Sequence, residues 1–102
     1  MVVTSPITVI AEIGENHCGD LARAREMVAE AARAGADIAK FQSYSGADVA
    51  PDDPEREWFD DVGLSREAHH ELAAACRAEG IRFLSAPLPV ESASFLVRDL
   101  GC

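Results

Sequence analysis

A chain of 102 residues with 18 acidic and nine basic side chains carries a formal charge of −9. That length supports one small domain with a core. The acidic balance disfavours nucleic acid and anionic membranes as partners, because phosphate binding needs a basic footprint, but it leaves room for one small phosphorylated substrate held by one or two local cations. No apolar run approaches the ~18 residues of a membrane span. No basic segment followed by an apolar one opens the sequence, so the expected location is cytoplasmic. Cys18, Cys76 and Cys102 are odd in number and widely spaced, which fits free thiols in a reducing compartment.

In chain order, residues 1–6 read as a ragged lead-in. Thr8 to Gly14 is nearly continuous in apolar residues, as a strand covered on both faces should be, with Glu12 the exception on the Ile10 face. The turn Gly14-Glu15-Asn16-His17-Cys18-Gly19 leads to Asp20, a good N-cap. Leu21, Ala24, Met27, Val28 and Ala31 then recur at helical spacing up to Gly35.

The next stretch, Ala36 to Tyr44, reads as a buried strand that ends in polar residues. Alternation puts Ile38, Lys40 and Gln42 on one face. A lysine in an apolar run must be paired, reach solvent from the strand end, or meet an anionic ligand. A long acidic loop, Ser45 to Leu64, follows, with Trp58 and Phe59 placed to anchor it through a short helical turn. Ser65 caps a second helix with an apolar stripe at Ala68, Leu72, Ala75 and Cys76, ending at Gly80. Residues 81–86 form a third strand, with Ser85 on the Ile81 and Phe83 face. Pro89 opens a third helix that Gly101 ends.

The order βαβαβα predicts an α/β fold with parallel strands near 8–14, 37–43 and 81–86, joined by right-handed crossovers, with the helices on one side. A doubly wound sheet and part of a (βα)₈ barrel both fit. In either, ligands meet the C-terminal strand ends. Glu12, Lys40, Gln42 and Ser85 lie there and are expected to point together to the face opposite the helices. Glu12 beside Lys40 serves a structural ion pair equally well. Neither a dinucleotide fingerprint nor a P-loop occurs between Gly14 and Gly19. His17 and Cys18 alone do not make a metal site, and His69 and His70 lie ~100° apart on a helix, with an exposed face the expected home of at least one.

Ile10 to Asp20 (IAEIGENHCGD), Ala34-Gly35-Ala36-Asp37, Lys40-Phe41-Gln42-Ser43, Leu64-Ser65 and Phe83-Leu84-Ser85-Ala86-Pro87 together resemble, in order and interval, the sialic acid (N-acetylneuraminate) synthase family. The resemblance spans about Ile7 to Gly101. It implies a (βα)₈ barrel enzyme that condenses phosphoenolpyruvate with an N-acetylated amino sugar such as N-acetylmannosamine. The product is a nine-carbon 2-keto acid, and phosphate leaves by C–O cleavage. By the same resemblance Lys40 holds the phosphoenolpyruvate anion, Glu12 and Gln42 lie near the sugar and the reacting carbons, and Ser85 belongs to a strand-three turn that helps bind phosphoenolpyruvate. Glu12 and Lys40 become the catalytic pair. Asn16, His17 and Gly19 shape the mouth.

The resemblance further implies a divalent cation, Mn²⁺ or Mg²⁺, whose ligands lie outside this chain, and a homodimer at full length. Where the family commonly has a Thr or Ser and then a Phe around the strand-three Pro, this chain has Ala86 and Leu88. A complete barrel needs ~250 residues, so residues 1–102 are expected to be an N-terminal fragment of the barrel domain, three of eight units, inactive in isolation. Ala86 and the short length also suit an alternative: a truncated or degenerate, non-catalytic βα module with at most weak anion binding.

Overall fold

The computed structural model describes residues 6–102; of the lead-in expected over 1–6, residues 1–5 lie outside the described residues. Three strands form one parallel sheet in chain order: β1 (Ile10–Gly14), β2 (Ile38–Ser43) and β3 (Arg82–Pro87). Four α-helices accompany it: α1 (Leu21–Arg33), α2 (Arg56–Val62), α3 (Arg66–Glu79) and α4 (Val90–Arg98). Among the described residues, no helix is long and apolar enough to cross a membrane.

The caps fall where the sequence placed them. Asp20 accepts the Arg23 amide at the start of α1, and Ser65 accepts the Ala68 amide at the start of α3. Gly80 closes α3 in the left-handed region that its missing Cβ permits. β1 begins two residues later than expected because the Asp37 carboxylate takes the Val9 amide. The acidic loop is more ordered than a single turn: a 3₁₀ turn at Gly46–Asp48 and the seven residues of α2 occupy it. Phe59 of α2 stands edge-on to both Tyr44 and Trp58 and so ties the excursion to the end of β2.

The core lies on one side of the sheet. Ala24 and Val28 of α1 and Leu72 and Cys76 of α3 pack with Ile13, Ala39 and Phe41. Phe41 is fully buried and stacks on Phe83 at 5.7 Å. The alternate residues of β2, Lys40 and Gln42, are only partly buried. The apolar parity of β2 therefore fixes its helix side, and the polar parity lines the open face near the strand ends.

Candidate active site at the strand ends

Parallel register decides which side chains meet. Glu12 pairs with Lys40 across β1 and β2, so the two share a face. Lys40 Nζ lies 3.1 Å from Glu12 Oε2. Gln42, two residues on, donates its Nε2 to Glu12 Oε1 at 3.4 Å. One carboxylate is thus held between an ammonium and an amide, with 49 % of its side chain and 32 % of the Lys40 side chain still exposed. Three of the four residues expected at the mouth come together on the open face.

Ser85 does not join them. It pairs with Phe41, not with Lys40, so it points to the helix side, where it is 5 % exposed. Its hydroxyl lies 2.5 Å from that of Ser43. The strand-three residue on the open face beside Gln42 is Ala86, which brings no polar atom. The expectation of a shared face for Ser85 is therefore corrected, and the physical reason is register: a one-residue offset between strands exchanges the faces.

The turn after β1 is built by its own backbone. Alternation puts Ile13, next to Glu12, on the core side, and a register shift between Glu12 and Gly14 bulges the strand there. Gly19 donates its amide to His17 Nδ1 at 2.9 Å, and the ring is buried near Phe41. Burial lowers the His17 pKa, outweighing the Glu15 charge and a Gly14 backbone bond that raise it. Glu15 accepts a hydrogen bond from the Tyr44 hydroxyl. Burial first, then that carboxylate, push the Tyr44 phenol up. The residues joining the two strand ends, Glu15 and Tyr44, escaped the sequence reading; the signal was their position, each one step past a strand terminus.

His69 also escaped it. An exposed face was expected for at least one of the two adjacent histidines; His70 is exposed, whereas His69 is 3 % exposed and bonded to Ser43. The Cys76 thiol is buried and pushed up to about 11 by that burial, which removes it as a nucleophile. Among the described residues no three His, Cys, Asp or Glu side chains gather around one point.

With this geometry in place, the kinship of the chain is decided by comparison. The NeuB family profile matches residues 27–102. The chain belongs to the NeuB family. It is 40 % identical over 92 residues to an uncharacterised protein of Methanocaldococcus jannaschii, covering 89 % of this chain and 27 % of that protein. It is 33 % identical over 108 residues to the N,N'-diacetyllegionaminic acid synthase of Campylobacter jejuni, covering 91 % and 32 %. Among solved structures, the N-acetylneuraminic acid (sialic acid) synthetase of Leptospira borgpetersenii superposes with a TM-score of 0.88 at 30 % identity, over 95 % of this chain and 34 % of that one. This NeuB chain thus spans about a third or less of the length of these relatives. Its three βα units are the N-terminal part of the family's barrel.

Proposed function

We propose that this NeuB chain is the phosphoenolpyruvate-side segment of a synthase that joins phosphoenolpyruvate to an N-acetylated amino sugar, forming a nine-carbon 2-keto sugar acid and releasing phosphate. The observation that carries the reading is the Glu12 carboxylate held between Lys40 and Gln42 on the open face at the strand ends. An incoming anion competes with Glu12 for the Lys40 ammonium, which supplies a charge-assisted bond. Glu12, released from Lys40 while Gln42 still orients it, is then free to manage a proton on the sugar. The Gln42 amide offers both a donor and an acceptor to sugar hydroxyls. In this reading the divalent cation, Mn²⁺ or Mg²⁺, takes its ligands from outside residues 1–102. Cytoplasmic location and homodimer assembly of the complete protein belong to the same reading.

The test is phosphate release with each substrate alone and with both. The 102-residue chain, with three of eight units and its site open to water, is expected to give no sugar-dependent turnover. The polypeptide extended through the remaining units is expected to be active. In it Lys40→Ala should cost ~1.5–3 kcal/mol of phosphoenolpyruvate binding, roughly ten- to hundredfold. Lys40→Arg should recover only part of that, because a planar fork replaces a point charge. Unchanged phosphoenolpyruvate affinity in Lys40→Ala would refute the role of Lys40. The alternative, a non-catalytic module, draws on Ala86, which leaves Gln42 without a neighbouring hydroxyl on β3. An inactive extended polypeptide would favour it.

A further inference from the structure

Behind the mouth, on the helix side of the sheet, four groups form a single file. Ser85 Oγ lies 2.5 Å from Ser43 Oγ, Ser43 Oγ lies 2.7 Å from His69 Nε2, and His69 Nδ1 lies 2.7 Å from the Ser65 carbonyl oxygen. The last bond fixes the direction of all the others. A carbonyl only accepts, so Nδ1 carries the proton and Nε2 of the neutral ring is an acceptor. Ser43 therefore donates to His69, and Ser85 donates to Ser43. In that direction every donor in the file has an acceptor. The file ties the C-terminal ends of β2 and β3 to the N-terminal turn of α3, and Ser43 and Ser85 are the immediate chain neighbours of Gln42 and Ala86 at the mouth.

We propose that His69 is a positioning residue that sets the spacing of Gln42 and Ala86 through this one-directional chain, and that protonation of its ring reverses the chain and loosens the mouth. Once Nε2 bears a proton it can only donate. Ser43 must then accept from His69, and between the two serines only one hydroxyl hydrogen can still be met. The other is left without an acceptor among the described residues, between side chains that are 3 % and 5 % exposed. An unmet buried donor is costly, so the two strand ends separate or rotate to relieve it.

The surroundings favour the neutral ring. β3 presents Phe83 and the Ser85 hydroxyl, and α4 presents Phe95 edge-on at 5.8 Å. The charged and titratable groups nearby are Tyr44 just past β2, Asp48 of the 3₁₀ turn, and Arg66 and His70 of α3 itself. Burial lowers the His69 pKa, the Ser65 carbonyl opposes this, and His70 adds to it. A cavity of about 160 Å³, lined by Ser43, Tyr44, Asp48 and Arg66 among others, borders His69.

The test is a pH titration of the ¹⁵N-labelled protein by NMR. At neutral pH the His69 ring should show the Nδ1–H tautomer. The amides of Gln42 and Ala86 should shift with the same midpoint as the ring. In His69→Gln, whose amide oxygen still accepts from Ser43 but does not titrate, those shifts should vanish. In Ser43→Ala the ring should titrate while Ala86 stays still. An Nε2–H tautomer, or Gln42 and Ala86 amides unmoved through the His69 midpoint, overturns the proposal. A second arm rests on the function proposed above: in the polypeptide extended through the remaining units, phosphoenolpyruvate affinity, by calorimetry, should fall as pH drops through the His69 midpoint and lose that dependence in His69→Gln. Phosphoenolpyruvate that binds with the same pH profile in both proteins overturns the link to the mouth. If it binds at no pH, the function reading fails and the NMR arm still decides the chain.

Discussion

The Lys40–Glu12 pair is either a brace of the sheet or a site held ready for a ligand, and its exposure separates the two. At 3.1 Å, Coulomb attraction between unit charges is about 1.3 kcal/mol in water and about 5 kcal/mol at an effective dielectric constant of 20, before desolvation and side-chain ordering are subtracted. With 32 % and 49 % of the two side chains exposed, solvent screening governs, and pairs of this kind contribute a net ~0.2–1 kcal/mol. The perturbation is a double-mutant cycle of Lys40→Met and Glu12→Gln, read by urea unfolding. The coupling energy should fall within that range, and each single change should move the midpoint by less than about 1 M for a slope of ~1–3 kcal/mol/M. A coupling above ~2 kcal/mol would mean that the pair braces the fold, and the argument that it is poised for an anion would fail.

Two further outcomes follow from the structure. A Cβ at Gly19, where φ is +78°, would stand 2.2 Å from the Asp61 carbonyl oxygen, whereas one at Gly35, also at positive φ, meets nothing within 4 Å. Both Gly→Ala changes carry the left-handed penalty of ~1–2 kcal/mol, so Gly19→Ala should be the more destabilising by thermal melting, and equal losses would show that the turn yields freely. His17 and His69 are buried with pKa values lowered mainly by that burial. The unfolded chain then binds more protons than the folded one as pH drops below the ordinary histidine value. The stability they contribute is therefore complete above ~6.5 and declines below it, by up to ~1.4 kcal/mol per pH unit for each ring. Urea midpoints between pH 7.5 and 5.5 check this, and a flat or rising profile on acidification contradicts it.

Much of the fold is legible in residue order because each local signal agrees with the next. Asp20 and Ser65 mark helix starts, Gly80 marks a stop, and the apolar runs between them are too short for anything but strands. Parallel order follows from the helical crossovers, and the observed sheet order is sequential. The acidic loop was less legible. Its helix α2 is held by Phe59 against Tyr44 and by the close approach of Gly19 to the Asp61 backbone. Those are tertiary contacts between segments some 15 to 40 residues apart, and no local periodicity reports them.

The candidate site divides along the same line. Alternation within one strand places Lys40 and Gln42 together without further information, and Glu12 joins them once β1 and β2 are in register. Ser85 needed a relation between strands, and alternation within β3 supplies none on its own. The deciding clue was nevertheless present: Ser85 has the parity of Phe83, a ring too large to leave on a polar mouth, and Lys40 has the opposite parity to Phe41. Stacking the two rings on the covered side turns Ser85 inward and brings Ala86 to the mouth. The same step explains the buried histidine. A hydroxyl on each of two strand ends, both turned toward the helices, needs a polar partner there, and His69, one turn into α3 and bonded back to Ser65, is the side chain that meets it. The apolar residues of a strand thus assign faces to its polar ones, and a polar residue assigned to the covered face implies a partner on the helix above it.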